Sequence, residues 1–349
     1  MPTEAASPVA ARPAPSGPTA ARHPFAEVLR TVGRGPTLSR PLHEDEAEAA
    51  MGMMLHGAVE PMQLGAFLLL LRYRGETASE LAGFVRAARA RMANGTGTIA
   101  VDLDWPSYAD AHKQLPYFLL AALLLARNGY RVLMHGLAGE GPAATRHGLV
   151  VLGVTPARST AEAAAQLAAT NFAYLPIEAM LPELHRLLGL KPLLGLRTFA
   201  NTMARELNPF HSACQIQGVF HPPYLELHRG TQLLLGQPRA ATFKGGGGEG
   251  QRNPEKPCRV LDLVDGAEAG ETVWPALTPG AGYPWRDEPL QPERLSALWR
   301  GELREPALDA VVTGTAAIAI RLMGRAREPA EAQALAEAMW RERCRHLAA

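Results

Sequence analysis

The sequence predicts an α/β protein in which a small N-terminal helical domain precedes a larger α/β domain with a mostly parallel central sheet. Three observations carry this. Residues 25–92 place apolar side chains at helical spacing. At residue 98 the pattern changes to short apolar runs alternating with helical stretches, and a β-α-β-α succession makes a parallel sheet with helices on its faces. Three helical segments, residues 292–301, 308–323 and 329–346, then close the chain. With 349 residues, 47% of them hydrophobic and 20% charged, there is material for one large domain beside a smaller one.

Taken in order, residues 1–22 consist largely of Ala, Pro, Ser, Thr and Arg without an apolar run, and read as a disordered tail rather than a signal peptide. The helical domain is placed at residues 23–95. Residues 43–56 make a helix that stops at Gly57. Residues 61–73 start on proline at the first helical position and are apolar around most of their girth, so they belong between helices or at a subunit contact. Thr77-Ala-Ser-Glu80 is a capping box that opens a helix to Met92.

The α/β domain is placed at 96–349. Strands are expected at 98–103, 130–134, 172–174, 215–220, 239–243, 259–263 and 271–274. Helices are expected at 115–128, 147–152, 160–169, 177–188, 197–206 and 224–235. No apolar run is long enough to span a bilayer. The three cysteines, Cys214, Cys258 and Cys344, share no metal-ligand spacing, which fits a reducing cytoplasm without disulfides or structural zinc. No Ser-His-Asp or Cys-His arrangement supports a hydrolase.

One stretch stands apart: Phe243-Lys-Gly-Gly-Gly-Gly-Glu-Gly-Gln-Arg-Asn-Pro-Glu-Lys-Pro257. The consecutive glycines Gly245, Gly246, Gly247 and Gly248 weaken helix and strand alike, and offer bare amides and positive φ at a strand exit, where open α/β sheets bind ligands. Lys244, Arg252 and Lys256 flank them, and a glycine-rich loop rimmed by cations points to a phosphate. The same composition fits a flexible surface loop. Residues 191–260 carry 9 Lys/Arg against 4 Asp/Glu, whereas residues 261–310 carry 4 against 10. This asymmetry fits a surface facing a polyanion, or charges that compensate each other within the domain.

Read together, these pieces resemble the anthranilate phosphoribosyltransferase group, glycosyltransferase family 3, over nearly the whole chain after the tail. The resemblance rests on Met62-Gln-Leu-Gly-Ala-Phe-Leu with Arg74-Gly-Glu-Thr77 and Glu80-Leu-Ala-Gly83. It continues through Val132-Leu-Met-His-Gly136, Arg197-Thr-Phe-Ala-Asn201, Asn208-Pro209 and Gln217-Gly-Val219. It implies an anthranilate phosphoribosyltransferase-like fold, a helical domain completed by residues of about 174–196, and a homodimer joined through the helical lobes.

The parts that serve catalysis in that family do not match. Where its glycine-rich donor loop should follow the first strand, this chain reads Asp102-Leu-Asp-Trp-Pro-Ser-Tyr-Ala-Asp110. Leu137 replaces an asparagine after His135-Gly136. Of the Asp-Glu pair expected just past the glycine loop to hold magnesium, only Glu249 is present, with Arg252 following. Segments 102–108 and 244–249 resemble the YbiB-type branch of the family. That resemblance implies a dimer without catalytic residues, cofactor or metal, which holds DNA or RNA by its backbone and prefers single strands.

On this reading the candidate phosphate contacts are Lys244, Gly245, Gly246, Gly247, Gly248, Arg252, Lys256, Arg197 and Lys113. His112, Arg72, Arg74, Arg86 and Arg205 are possible extensions, and Trp105, Tyr108 and Tyr117 are candidates for base stacking. Asp102 and Asp104 fit a capping or salt-bridged pair, and His135 a hydrogen-bonded core histidine. The alternative is a glycosyl or phosphoribosyl transferase with a rearranged donor site, supported by the retained fold and His135-Gly136.

Overall fold

A computed structural model describes residues 22–92, 99–109, 114–137 and 139–345. The tail expected at 1–22, apart from Arg22, lies outside them, as do His112 and Lys113. The N-terminal part forms α1 (Phe25–Gly33), α2 (Glu44–Leu55), α3 (Pro61–Arg74) and α4 (Ala78–Met92). The capping box at the start of α4 is reciprocal: the Glu80 amide donates to Thr77 Oγ1 at 3.3 Å and the Thr77 amide to Glu80 Oε2 at 3.0 Å. Glu80 is fully buried and also accepts from the Leu42 amide (2.9 Å) and Arg74 (2.5 Å). One carboxylate thereby ties the approach to α2 and the end of α3 to the start of α4. The α2–α4 contact needs glycine, because a Cβ at Gly83 would fall 2.2 Å from the Glu44 carbonyl oxygen.

The rest of the chain runs β1 (Leu103–Ser107), α5 (Phe118–Arg127), β2 (Val132–Gly136), α6 (Thr145–Val151), α7 (Thr160–Thr170) and β3 (Phe172–Pro176). Three short helices follow, α8 (Ile177–Met180), α9 (Pro182–Leu188) and α10 (Lys191–Leu194), then α11 (Phe199–Met203) with a 3-10 turn at Ala204–Glu206. Next come β4 (Cys214–Val219), α12 (Pro223–Leu234), β5 (Arg239–Lys244), a 3-10 turn at Gly246–Gly248, β6 (Cys258–Val264) and β7 (Ala267–Trp274). The chain ends with α13 (Glu293–Arg300), α14 (Pro306–Leu322) and α15 (Pro329–Glu342). The strands form one sheet in the order β3-β2-β1-β4-β5-β6-β7. The first five are parallel, and β6 and β7 are antiparallel to their neighbours. A helical domain beside a mostly parallel α/β sheet is what the sequence predicts.

Alternation along the strands separates two cores. Leu103 and Trp105 of β1, Met134 of β2, Ile216 of β4 and Phe243 of β5 face a cluster shared with α5 and α14. Leu133 of β2 and Leu175 of β3 face the opposite cluster, which holds the buried residues of α1–α4 together with Ile177, Leu184 and Leu188 of α8 and α9. Phe199 of α11 reaches into the helical lobe, 5.9 Å from Phe67 and 4.4 Å from Phe84 between ring centroids. Each such pair adds about 0.5–1.5 kcal/mol beyond area burial.

Several expectations need correction. The first strand lies at Leu103–Ser107 rather than 98–103, because Leu103 and Trp105 alternate into the core while Asp102 stays exposed. Pro106 is tolerated inside a central strand since β1 and β4 align only at Asp104↔Gln215, so the missing amide leaves no ladder position empty. The helix expected over 177–188 breaks at Leu181, where ψ is 80° and Pro182 follows. The helix expected over 197–206 is an α-helix only from Phe199 to Met203, capped by Thr198, before its 3-10 turn.

Candidate functional site

The strand order turns at β1 and β4: from β1 the sheet grows to β2 and β3 on one side, and from β4 to β5 on the other. Open α/β sheets leave a crevice at such a switch point, beyond the carboxyl ends of the strands. At this switch point β1 and β4 share a single aligned pair, Asp104↔Gln215. A cleft of about 160 Å³ lies there. Arg72 of α3, Arg197 and Asn201 around α11, Phe220 and Tyr224 beyond β4, and Tyr108 beyond β1 line it. Arg72 donates to the Tyr224 hydroxyl at 3.2 Å, which joins the helical domain to the start of α12 across the cleft.

A buried polar chain runs beneath. The Tyr108 hydroxyl and His135 Nδ1 are 2.9 Å apart, and His135 Nε2 lies 3.3 Å from Asp104 Oδ1. Gln215 Nε2 donates to Asp104 Oδ2 at 2.8 Å. Burial pushes the Tyr108 phenol well above its usual pKa. His135 is therefore a hydrogen-bonded core histidine, as the sequence suggests. Asp102 and Asp104 do not act as a pair: Asp102 accepts the Arg131 amide at 2.7 Å, while Asp104 serves His135 and Gln215.

The exit of β1 is closed by the protein itself. The Ala109 amide donates to Glu249 Oε1 at 2.8 Å, and Arg197 Nη2 donates to the Ala109 carbonyl. Gly136 packs against this turn so tightly that a Cβ there would lie 2.0 Å from the Ser107 carbonyl oxygen. Glu249, which the sequence marks as the remaining metal acid, is thus a cap on the β1 turn.

The glycine loop is folded inward, which corrects the expectation of bare amides. Gly245 donates to the Val219 carbonyl at 3.0 Å, Gly246 to the Gln251 carbonyl at 2.6 Å, and Gly248 to the Gly245 carbonyl at 3.1 Å. Gly247 sits at φ 66° within this turn. The glycines are needed for close approach: a Cβ on Gly245 would fall 1.6 Å from the Glu249 carbonyl oxygen, and one on Gly248 would meet Phe220 Cβ at 3.0 Å. Arg205 is buried and clamps the turn, donating to the carbonyls of Gly218 (2.9 Å) and Gly248 (3.1 Å).

Arg252 is the second correction. It is 1% exposed, its amide donates to Thr315 Oγ1 at 2.9 Å, its guanidinium donates to the Pro275 carbonyl and lies 5.5 Å from the Trp274 ring centroid. Burial lowers its pKa. It is a core side chain and does not meet a ligand at the surface. Arg74 and Arg86 are likewise engaged, Arg74 with Glu80 and Arg86 with Glu44 and the Leu234 carbonyl. Trp105, Tyr108 and Tyr117 are packed in the two cores, so none offers a face for stacking.

Among the described candidate cations, Lys244, Lys256, Arg72 and Arg86 are exposed, Arg72 being held by the Tyr224 hydroxyl and Arg86 by Glu44. Lys244 is exposed at the end of β5, next to Val219 in register across the parallel pair. Lys256 is exposed just before β6, which the antiparallel register Phe243↔Val260 brings to the same end of the sheet. Arg197 is half-buried in the cleft, held to Ala109. The neighbouring acidic segment compensates part of the positive charge: Arg229 pairs with Glu268, and Arg259 with Glu271. Phe220 and Tyr224 were missed by the sequence reading. Their signal was available, since Phe220 ends the predicted strand at 215–220 and Tyr224 lies just beyond it, and strand exits carry sites.

A resident magnesium and diphosphate do not fit these residues. Glu249, the one acid left of the expected pair, instead caps a backbone amide at the β1 exit. Magnesium on a diphosphate calls for carboxylates that are open to it.

Residues 26–92 match the glycosyl transferase family, helical bundle domain. The chain is 30% identical over 247 residues to the uncharacterized protein YbiB of Escherichia coli (strain K12), covering 69% of this chain and 76% of that protein. It is 30% identical over 308 residues to the anthranilate phosphoribosyltransferase of Oleidesulfovibrio alaskensis, covering 85% and 91%. Among solved structures, anthranilate phosphoribosyltransferase from Thermus thermophilus superposes with a TM-score of 0.73 at 23% identity, over 90% of this chain and 94% of that one. The enzyme from Saccharomyces cerevisiae in complex with PRPP and Mg gives 0.70 at 14% identity, over 91% and 93%. The chain belongs to the anthranilate phosphoribosyltransferase family, glycosyltransferase family 3.

Proposed function

We propose that this protein binds single-stranded nucleic acid through its phosphates, with little sequence preference, at the carboxyl end of the sheet. The observation that carries the reading is the closed exit of β1. The turn after β1 is held by the protein's own Glu249–Ala109–Arg197 contacts, while Lys244 stands exposed beside the neighbouring cleft. Cations that reach solvent next to a groove, without carboxylates to hold a metal, suit bare phosphates. Lys244 and Lys256 are the phosphate contacts in this reading, with Arg72 and Arg197 at the cleft. Charge reversal of Lys244 and Lys256 together weakens binding equally for unrelated sequences; unchanged affinity in the double variant would remove this surface as the site.

The working form in this proposal is a homodimer. Met62, Ala66, Leu69 and Tyr73 form an exposed stripe along one face of α3, with Met62 at 87% and Tyr73 at 94% exposure. A stripe at i, i+4, i+7 and i+11 is a helix face that seeks a partner. Two clefts on one dimer would engage one strand bivalently.

The transferase reading keeps one specific support, the naming of several relatives at 30–32% identity as anthranilate phosphoribosyltransferases. Calorimetry with phosphoribosyl pyrophosphate and magnesium separates the two readings: heat of binding saturating at one site per chain favours the transferase.

A further inference from the structure

We infer that the cleft between β1 and β4 takes up one unpaired nucleobase against Phe220, an inference that rests on the nucleic-acid reading and adds a base contact to it. Phe220 is 54% exposed although it leaves the sheet at the switch point, where its neighbours Val219 and Gly248 are buried. The glycine turn supports it from below, since a Cβ at Gly248 would touch Phe220 Cβ. His221 stands edge-on beside it, with ring centroids 4.8 Å apart at 77°. An aromatic ring packed against a backbone turn and left open to solvent is a stacking platform of the kind that single-strand binders use.

The size and chemistry of the cleft agree. Its volume of about 160 Å³ suits a single ring system, for an apolar cavity of about 150 Å³ already admits benzene. The lining adds polar groups that a base edge can meet. Asn201 presents a carboxamide whose Oδ1 accepts the Thr198 amide at 3.3 Å, and Arg72, also in the lining, donates to the Tyr224 hydroxyl. Lys244 lies one strand away, in register with Val219, so a phosphate contact and a base contact sit on adjacent strands. Base pairs in a duplex keep their faces stacked and cannot reach Phe220, so the cleft supplies a physical reason for preferring single strands.

The test uses the full chain and two labelled 12-nucleotide probes, oligothymidylate and an oligomer of abasic sites of equal length, titrated by fluorescence anisotropy. The intact protein binds the base-bearing strand about tenfold more tightly than the abasic one, the effect of one stacked base. Phe220→Ala abolishes that preference and leaves the salt dependence unchanged, whereas Phe220→Tyr retains it. Lys244→Glu weakens both probes alike. Equal binding of the two probes by the intact protein, with Phe220→Ala silent, overturns the base cleft and leaves phosphate binding standing. Binding of neither probe at low salt overturns the nucleic-acid reading itself.

Discussion

Lys244 and Arg252 belong to the same cationic stretch of sequence, yet one is exposed and the other lies in the core against Trp274 and Pro275. Arg252→Ala is therefore expected to cost about 2–4 kcal/mol of unfolding free energy, through a cavity and an orphaned carbonyl, and to leave nucleic-acid affinity unchanged wherever the protein stays folded. Lys244→Glu is expected to do the reverse; urea titration alongside anisotropy checks both. The difference was not legible in the sequence, because the groups that enclose Arg252 arrive later, with Pro275 and with Thr315 on α14. Glu46 shows what a surface pair does with pH. Arg40 holds its carboxylate at 2.6 and 2.7 Å and depresses its pKa from 4.5 to about 2. A depressed carboxylate contributes stability above its unfolded value, and that stability is lost as pH falls through its folded value. Acid unfolding of Glu46→Gln should accordingly be less steep between pH 4.5 and 2 than that of the parent, followed by circular dichroism.

Among the elements, α4 was fully announced by its box, and the structure adds that Glu80 serves two further donors. Glu80→Ala leaves Arg74 and the Leu42 amide without their acceptor inside the helical domain, an expected loss of about 3–5 kcal/mol in chemical denaturation. The glycine loop was legible as special and misread in its chemistry. Sequence shows that Gly245 and Gly248 tolerate close approach, but only the fold shows that the approaching groups are the Glu249 backbone and Phe220. On α3 the sequence signalled a helix too apolar for one buried face, and the structure separates the buried Phe67, Leu68 and Leu71 from the exposed Met62, Leu69 and Tyr73. Leu69→Glu with Tyr73→Glu should yield a monomer in sedimentation velocity while the helical signal is retained; an unaltered sedimentation coefficient would place the dimer contact elsewhere.

At the scale of the whole molecule, periodicity and chain order were enough for the helical domain and the parallel sheet, because both patterns are local. The cleft was not, since it depends on residues from α3, α11, the start of α12 and the ends of β1 and β4 meeting there. In the proposed function a transferase fold serves as a phosphate-binding surface, and salt dependence tests that most directly. Anisotropy of two unrelated single strands should be measured across a salt series with the parent protein and with the Lys244→Glu, Lys256→Glu double variant. The expected result is a linear log–log fall in affinity, alike for both strands, with a slope shallower in the double variant by about 1.4, at roughly 0.7 for each phosphate that is no longer neutralised. Absence of binding at low salt, or an identical slope in the double variant, would contradict phosphate binding at this surface.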